Sequence, residues 1–187
     1  SMAWLTNMAT DTINFRKLNY LKKDNPNLKI LISIGGWSWS ENFSDAVLTG
    51  NSRKKFAQTS VSIVEQYALD GLDIDWEYPD PGQFSQNFLA LIQELRATMP
   101  EKLLTTAVVS YGDEYGSGIP DESFELFDFV NIMTYDGPDH GTMEQFEKGL
   151  SYWSTRGLPK EKTVMGVPFY ARPEMPYFKI VQTDPNA

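Results

Sequence analysis

The segment Asp70-Gly71-Leu72-Asp73-Ile74-Asp75-Trp76-Glu77-Tyr78-Pro79 holds the residues best suited to chemistry. Its pattern is that of a strand, and side chains alternate between the two faces of a strand. Asp73, Asp75 and Glu77 therefore share one face, and Leu72, Ile74 and Trp76 share the other. Next neighbours on a face stand about 7 Å apart. Three carboxylates in such a row repel one another and resist desolvation, which raises at least one pKa. A carboxyl raised toward neutrality is what a general acid requires. The competing reading is an amphipathic strand with one solvated face, as in many antiparallel sheets. Two features weigh against it. The neighbouring strands read as parallel and buried on both faces, and Asp is depleted in strands.

Three other strand ends gather glycine, polar and aromatic groups. Ser33-Ile34-Gly35-Gly36-Trp37 places two glycines where a strand finishes, and glycine there admits close approach of backbone or ligand. Met133-Thr134-Tyr135-Asp136 ends another strand, with Asn131, Met133 and Tyr135 on one face and Asp136 at the exit. Val167-Pro168-Phe169-Tyr170-Ala171-Arg172 ends the last, with Pro168, Tyr170 and Arg172 on a common parity. Each alone reads as an ordinary turn or a core side chain. Together they mark C-terminal strand ends, where parallel α/β folds build their sites.

The elements that must position these groups alternate along the chain. Strands are expected over 28–34, 71–78, 103–110, 129–135 and 163–170. Helices are expected over 11–23, 52–67 with Ser52 as N-cap, 83–99, and 143–155 closed by Gly157, with a short helical stretch at 123–127. The alternation suits successive βα units and a parallel sheet. By counting alone, 187 residues fit a five-stranded doubly wound sheet. A closed (β/α)₈ barrel normally takes about 250 residues.

Composition narrows the function classes. A 187-residue chain with 41% hydrophobic residues reads as one domain spanning 1–187, neither disordered nor collagen-like. The net charge of −9 repels phosphate backbones and anionic lipid, so neither nucleic acid nor a membrane is an expected partner. No apolar run approaches the ~20 residues of a membrane span. Zero cysteines exclude thiol catalysis and disulfides. The one histidine, His140, excludes a multi-histidine metal site and sits in a turn-like Gly-Pro-Asp-His-Gly cluster, which reads as an exposed loop. No signal peptide is visible, and Ser1-Met2 reads as a cleavage scar.

Residues 70–77 match the DxxDxDxE signature of glycoside hydrolase family 18, the chitinase family. The chain resembles that family in three further segments, taken in order. Ser33–Trp37 resembles its SxGG segment on barrel strand three, Met133–Asp136 its MxYD segment on strand six, and Gly166–Arg172 its seventh-strand segment, with Ala171 where glycine is common. The resemblance implies a (β/α)₈ TIM-barrel type of α/β fold. It starts near the helix before strand three and stops after strand seven. Strands one, two and eight, and the family's strand-eight tryptophan, have no counterpart, so an incomplete barrel of about five parallel strands is expected. The tail 176–182 could add a strand, though unlike the family's eighth. Open sheet edges invite self-association.

The same resemblance implies substrate-assisted hydrolysis of β-1,4-linked N-acetylglucosamine, an exception to the usual two-carboxylate scheme. Glu77 would be the general acid, Asp75 would hold the substrate acetamido N–H, and Asp73 would share a proton with Asp75. Tyr135 would bond the acetamido oxygen, and Asp136 would support sugar hydroxyls. Tyr170 and Arg172 would line the cleft beside Met133 and Gly36, and Trp37 would pack under the site. Chitin or its oligosaccharides is the expected partner, with no metal, nucleotide or flavin cofactor. Peptidoglycan and N-glycan cores share the acetamido sugar and remain alternatives. So does a non-catalytic carbohydrate-binding fragment, although Glu77 is kept. Relatives in the family are mostly secreted, which implies an extracellular setting.

Overall fold

The computed structural model describes residues 2–173 and 175–184. Five parallel strands form one sheet: β1 (Leu31–Gly35), β2 (Gly71–Asp75), β3 (Leu103–Val109), β4 (Phe129–Met133) and β5 (Thr163–Met165). They lie side by side in chain order. That order decides between the two architectures the residue count left open. A doubly wound sheet reverses its strand order at a switch point. A sequential order with right-handed crossovers puts every helix on one face, as in a barrel wall.

The helices do lie on one face. They are α1 (Met8–Leu21), α2 (Phe43–Val47), α3 (Gly50–Gln66), α4 (Gln83–Thr98), α5 (Asp113–Gly116) and α6 (Met143–Thr155). Leu72, Ile74, Leu104, Val130 and Ile132 from the strands join Phe56, Val64, Phe88, Leu91, Leu95 and Trp153 from the helices in one buried cluster. Trp76 is 4% exposed and stacks on Phe43, with ring centroids 5.2 Å apart. The odd-numbered side chains Asp73, Asp75, Asn131 and Met133 are half-buried on the other face. The period-two alternation of β2 is therefore as the sequence predicts.

Element ends differ from the sequence expectation where a distant partner decides them. β2 stops at Asp75 rather than Tyr78, because its register with β3 ends at Ile74↔Thr106. β1 starts at Leu31 rather than residue 28, opposite Gly71. The helix expected from Ser52 begins at Gly50 with Thr49 as N-cap. Ser52 is the reciprocal member of that capping box and not the cap itself. The strand expected over 163–170 breaks after Met165. Gly166 still donates to the Ile132 carbonyl at 2.8 Å, but Pro168 has no N–H to continue the ladder. Tyr170–Ala171 (β6) then pairs antiparallel with Met175–Pro176 (β7). The tail over 176–182 is not a strand beyond Pro176 but a helix, α7 (Tyr177–Thr183), with Pro176 preset for a helix start.

Candidate active site

The site stands at the C-terminal ends of β1, β2 and β4 and the segment 166–172. Register explains its centre. Ser33 of β1, Asp73 of β2 and Thr105 of β3 fall in one row across the sheet. Ser33 Oγ donates to Asp73 Oδ2 at 2.7 Å, and Thr105 Oγ1 to Oδ1 at 2.5 Å. Asn131 Nδ2 adds a bond to Oδ1 at 3.2 Å. Among the described residues Asp73 is thus held by three neutral donors and no cation.

Asp75 is different. Its Oδ1 is buried and has no hydrogen-bond partner. Burial, with the charges of Glu77 and Asp73, pushes its carboxyl up to about 7. The glycine-rich end of β1 lies against it. Gly35 and Gly36 take φ of 119° and 97°, and the Gly36 N–H donates to the Asp75 carbonyl at 2.6 Å. A Cβ at Gly35 would lie 2.0 Å from that carbonyl oxygen, so only glycine fits there.

Glu77 has left the sheet. Its N–H donates to Ser40 Oγ at 2.9 Å, and Ser40 in turn donates to the Gly36 and Asp75 carbonyls. Burial raises the Glu77 carboxyl, and the Asp136 charge adds to this, against hydrogen bonds from the Tyr78 hydroxyl and the Trp37 backbone N–H. A raised carboxyl is the direction a general acid requires. The Trp37 ring is 74% exposed and does not pack under the site as expected; its backbone serves Glu77 instead. It is exposed because its residue lies beyond the strand, past two glycines, where no layer covers it.

Tyr135 lies two residues beyond the end of β4, close enough for the row's charges to act on it. Burial raises its hydroxyl pKa, and so do the charges of Asp75, Asp136, Glu77 and Asp73. Its ring lies over Gly166, where a Cβ would come within 2.8 Å of Cε1. Asp136 takes φ of 60°. Burial would raise its carboxyl, but the Tyr170 hydroxyl, donating to Oδ1 at 2.7 Å, and the Arg172 guanidinium lower it overall. Tyr170 and Arg172 thus meet at Asp136, although they share no continuous strand. Met133 is half-buried at the end of β4.

Sequence reasoning passed over several members of this site. Ser40, Tyr78, Thr105 and Gln145 carried no signal beyond ordinary polarity. His140 is not an exposed loop residue: its side chain is 13% exposed and both ring nitrogens are bonded. Turn composition describes its immediate neighbours, whereas its partners come from two separate strand ends.

The chain is similar to known chitinases over most of its length. Chitinase 1 of Aphanocladium album is 32% identical over 84% of the chain and 44% of its own length. A probable endochitinase of Caenorhabditis elegans is 33% identical over 84% of the chain and 31% of its own length. The chain thus spans less than half the length of these curated relatives. The chitinase domain of the spore coat protein CotE from Clostridium difficile superposes with a TM-score of 0.83 at 27% identity, covering 98% of the chain and 61% of that domain. A class V chitinase from tobacco, solved in complex with NAG4, superposes at 0.79 with 27% identity, over 90% of the chain and 56% of its own. The family described as glycosyl hydrolases family 18 matches residues 3–177, and the chain belongs to that family.

Proposed function

We propose that the chain carries the site of a retaining, substrate-assisted hydrolase of β-1,4-linked N-acetylglucosamine polymers, chitin and its oligosaccharides. One observation carries this reading. Asp75, with a buried and unpartnered carboxylate oxygen, stands between Asp73 and Glu77 while Tyr135 lies close enough for the charges of all three to act on it. An unpartnered buried acceptor is costly unless a substrate donor completes it. The acetamido N–H is such a donor.

In the proposed reaction Glu77 protonates the glycosidic oxygen. The acetamido carbonyl oxygen attacks the anomeric carbon as the bond to the leaving sugar breaks. Asp75 accepts a hydrogen bond from the acetamido N–H, whose proton stays on nitrogen, and stabilises the positive oxazolinium ring, while Asp73 shares a proton with Asp75. Tyr135 donates to the acetamido oxygen. Glu77 then takes a proton from water, which opens the ring and restores the acetamide with net retention. Asp136 supports sugar hydroxyls, while Tyr170, Arg172, Met133, Trp37 and Gly36 line the cleft. Tobacco and Ostrinia furnacalis relatives solved with NAG4 and allosamidin lend support to an acetamido-sugar partner. An extracellular setting, where such polymers lie, belongs to the same proposal. Among the described residues no helix is long and apolar enough to cross a membrane.

A non-catalytic carbohydrate-binding role is the second reading. It is favoured by the sheet, in which the edge strands β1 and β5 each have one strand neighbour among the described residues. Catalytic groups must be held to about half an ångström. Hydrolysis of a fluorogenic chitobioside by the chain and by Glu77→Gln separates the two, with folding followed by circular dichroism. Loss of at least ~100-fold in the variant is expected for removal of a general acid. Equal turnover overturns the assignment of Glu77. A folded chain that binds the sugar without turnover supports the second reading.

A further inference from the structure

We propose that His140, held as the neutral Nε2–H tautomer, is a positioning residue that fixes Asp136 against Tyr170 on the substrate side of the sheet. The inference rests on the proposed function, in which Asp136 supports sugar hydroxyls. Its geometry stands independently of that role.

Asp136 is a non-glycine residue in the left-handed region, a sparsely populated conformation that persists only where its surroundings over-determine it. Both of its backbone groups are tied by side chains. Its N–H donates to His140 Nδ1 at 2.9 Å, and its carbonyl accepts from Gln145 Nε2 at 2.8 Å. Gln145, buried at the start of α6, also receives the Gly141 N–H at 2.9 Å and so closes the turn that carries His140. With the backbone fixed, the carboxylate reaches the Tyr170 hydroxyl and Arg172.

His140 performs the second half of the task. A ring nitrogen that accepts an N–H carries no proton, so the neutral ring has its proton on Nε2. Nε2 lies 3.0 Å from the Tyr170 carbonyl, to which it donates. The imidazole also packs on the Tyr170 ring, with centroids 4.9 Å apart. One side chain thus joins the backbone of Asp136, at the exit of β4, to the backbone of Tyr170, 34 residues later. Tyr170 lies beyond the end of β5 and pairs only with β7 in a local hairpin, so the five-stranded sheet does not hold it in place. The bridge through His140 supplies that register.

The chain has a single histidine, so a ¹⁵N-histidine-labelled sample gives one set of ring signals. The expected spectrum shows a pyridine-like Nδ1 and a pyrrole-like Nε2. It also shows a through-hydrogen-bond coupling from Nδ1 to the Asp136 amide. A protonated Nδ1, or no coupling, overturns the proposal. Three variants then separate positioning from bulk stability. Asparagine places an acceptor where Nδ1 stood, and glutamine places a donor where Nε2 stood. His140→Ala is expected to lower kcat/KM on a chito-oligosaccharide by about 10–100-fold, the scale of a small misplacement. His140→Asn is expected to recover most of it and His140→Gln less, with melting temperatures alike across the three. Turnover by His140→Ala equal to the parent overturns the proposal. Should the parent itself not turn over, the proposed function fails and the bridge is judged by resonances alone. Displacement of the Asp136 amide and Tyr170 ring signals in His140→Ala, restored in His140→Asn, then supports it. Unmoved signals refute it.

Discussion

Asp70 and Asp75 lie five residues apart in one stretch of chain, at opposite ends of β2, and their surroundings are inverted. Asp70 Oδ2 accepts from Lys22 Nζ at 2.6 Å and from the Ile30 N–H at 2.7 Å, with Lys29 at 3.9 Å from Oδ1. Burial alone would raise its carboxyl, but Lys22 and the Ile30 N–H hold it below the ordinary value. Asp128, just before β4, repeats the device with Arg96 at 2.6 Å and the Leu104 N–H at 2.8 Å. At the other end of the sheet no ion pair reaches Asp73, Asp75 or Glu77 among the described residues. The N-terminal end uses carboxylates to tie neighbouring strands together. At the C-terminal end Asp136 is paired with Arg172, but Asp73, Asp75 and Glu77 are left without a cation among the described residues, as the proposed proton exchange with a substrate requires. A TIM-type sheet separates stability from chemistry in the same way.

Asp75→Asn is the strongest way to break that contrast. The rate on a chitobioside is expected to fall by about 100-fold or more, as for loss of a group that stabilises developing charge. Stability should move the other way. A carboxyl raised from 3.8 to about 7 binds more protons folded than unfolded between those values. Folding stability therefore drops as pH rises from about 4 to about 7 and is level above. Such a shift corresponds to at most ~4 kcal/mol, and solvent contact with the group reduces the expected gain to about 2 kcal/mol. Asparagine escapes this penalty. At pH 8 the variant should melt roughly 4–8 °C higher than its parent, with little difference at pH 4. A variant less stable than the parent at pH 8 would show that Asp75 is a structural group like Asp70.

This contrast was only half legible in the sequence. Alternation put Asp73, Asp75 and Glu77 on one face because period two needs no partner to be read. The burial of Leu72, Ile74 and Trp76 confirms that reading. Alternation could not show that Glu77 leaves the sheet, since the point where β3 stops pairing decides it. Nor could it assign Asp70, whose partner Lys22 is 48 residues away. The common parity of Tyr170 and Arg172 presumed an unbroken strand, and Pro168 interrupts it. Both residues still reach Asp136, through the fold of 166–172 rather than through parity. The choice between a doubly wound sheet and a barrel wall was likewise out of reach, because counting elements gives no strand order.

Asp70→Asn tests the other half. Removing a charged acceptor from two donors is expected to cost about 1 kcal/mol, after allowance for solvent at this pair, whose side chains are 27% and 20% exposed. The pH dependence has the opposite sign to that of Asp75. A carboxyl held below its ordinary value stabilises the fold fully above about pH 4. That contribution fades as pH falls through the lowered value. Thermal melts of parent and variant should therefore differ at pH 7 and converge in acid. The rate per folded molecule should stay within about twofold, since the site is at the far end of the strand. A large rate loss at full folding would mean that the two ends of β2 are not independent.

Ser33→Ala gives the smallest effect and the finest division. Asp73 lies between the extremes: it has neither a cation, as Asp70 has, nor an orphaned oxygen, as Asp75 has. Its three donors come from three different strands, and the Ser33 hydroxyl is the most exposed of them. Water can replace that donor, so the stability cost is expected to be below about 0.5 kcal/mol. The Thr105 hydroxyl is buried at 1% exposure and water cannot take its place. If Asp73 acts by sharing a proton with Asp75, weakening one donor to its Oδ2 shifts the balance of that proton. A change of about threefold in rate, with a displaced pH profile and an unaltered melting temperature, is the expected result. An unchanged profile would place Asp73 with Asp70, as a tie between strands, and leave Asp75 and Glu77 as the reactive pair.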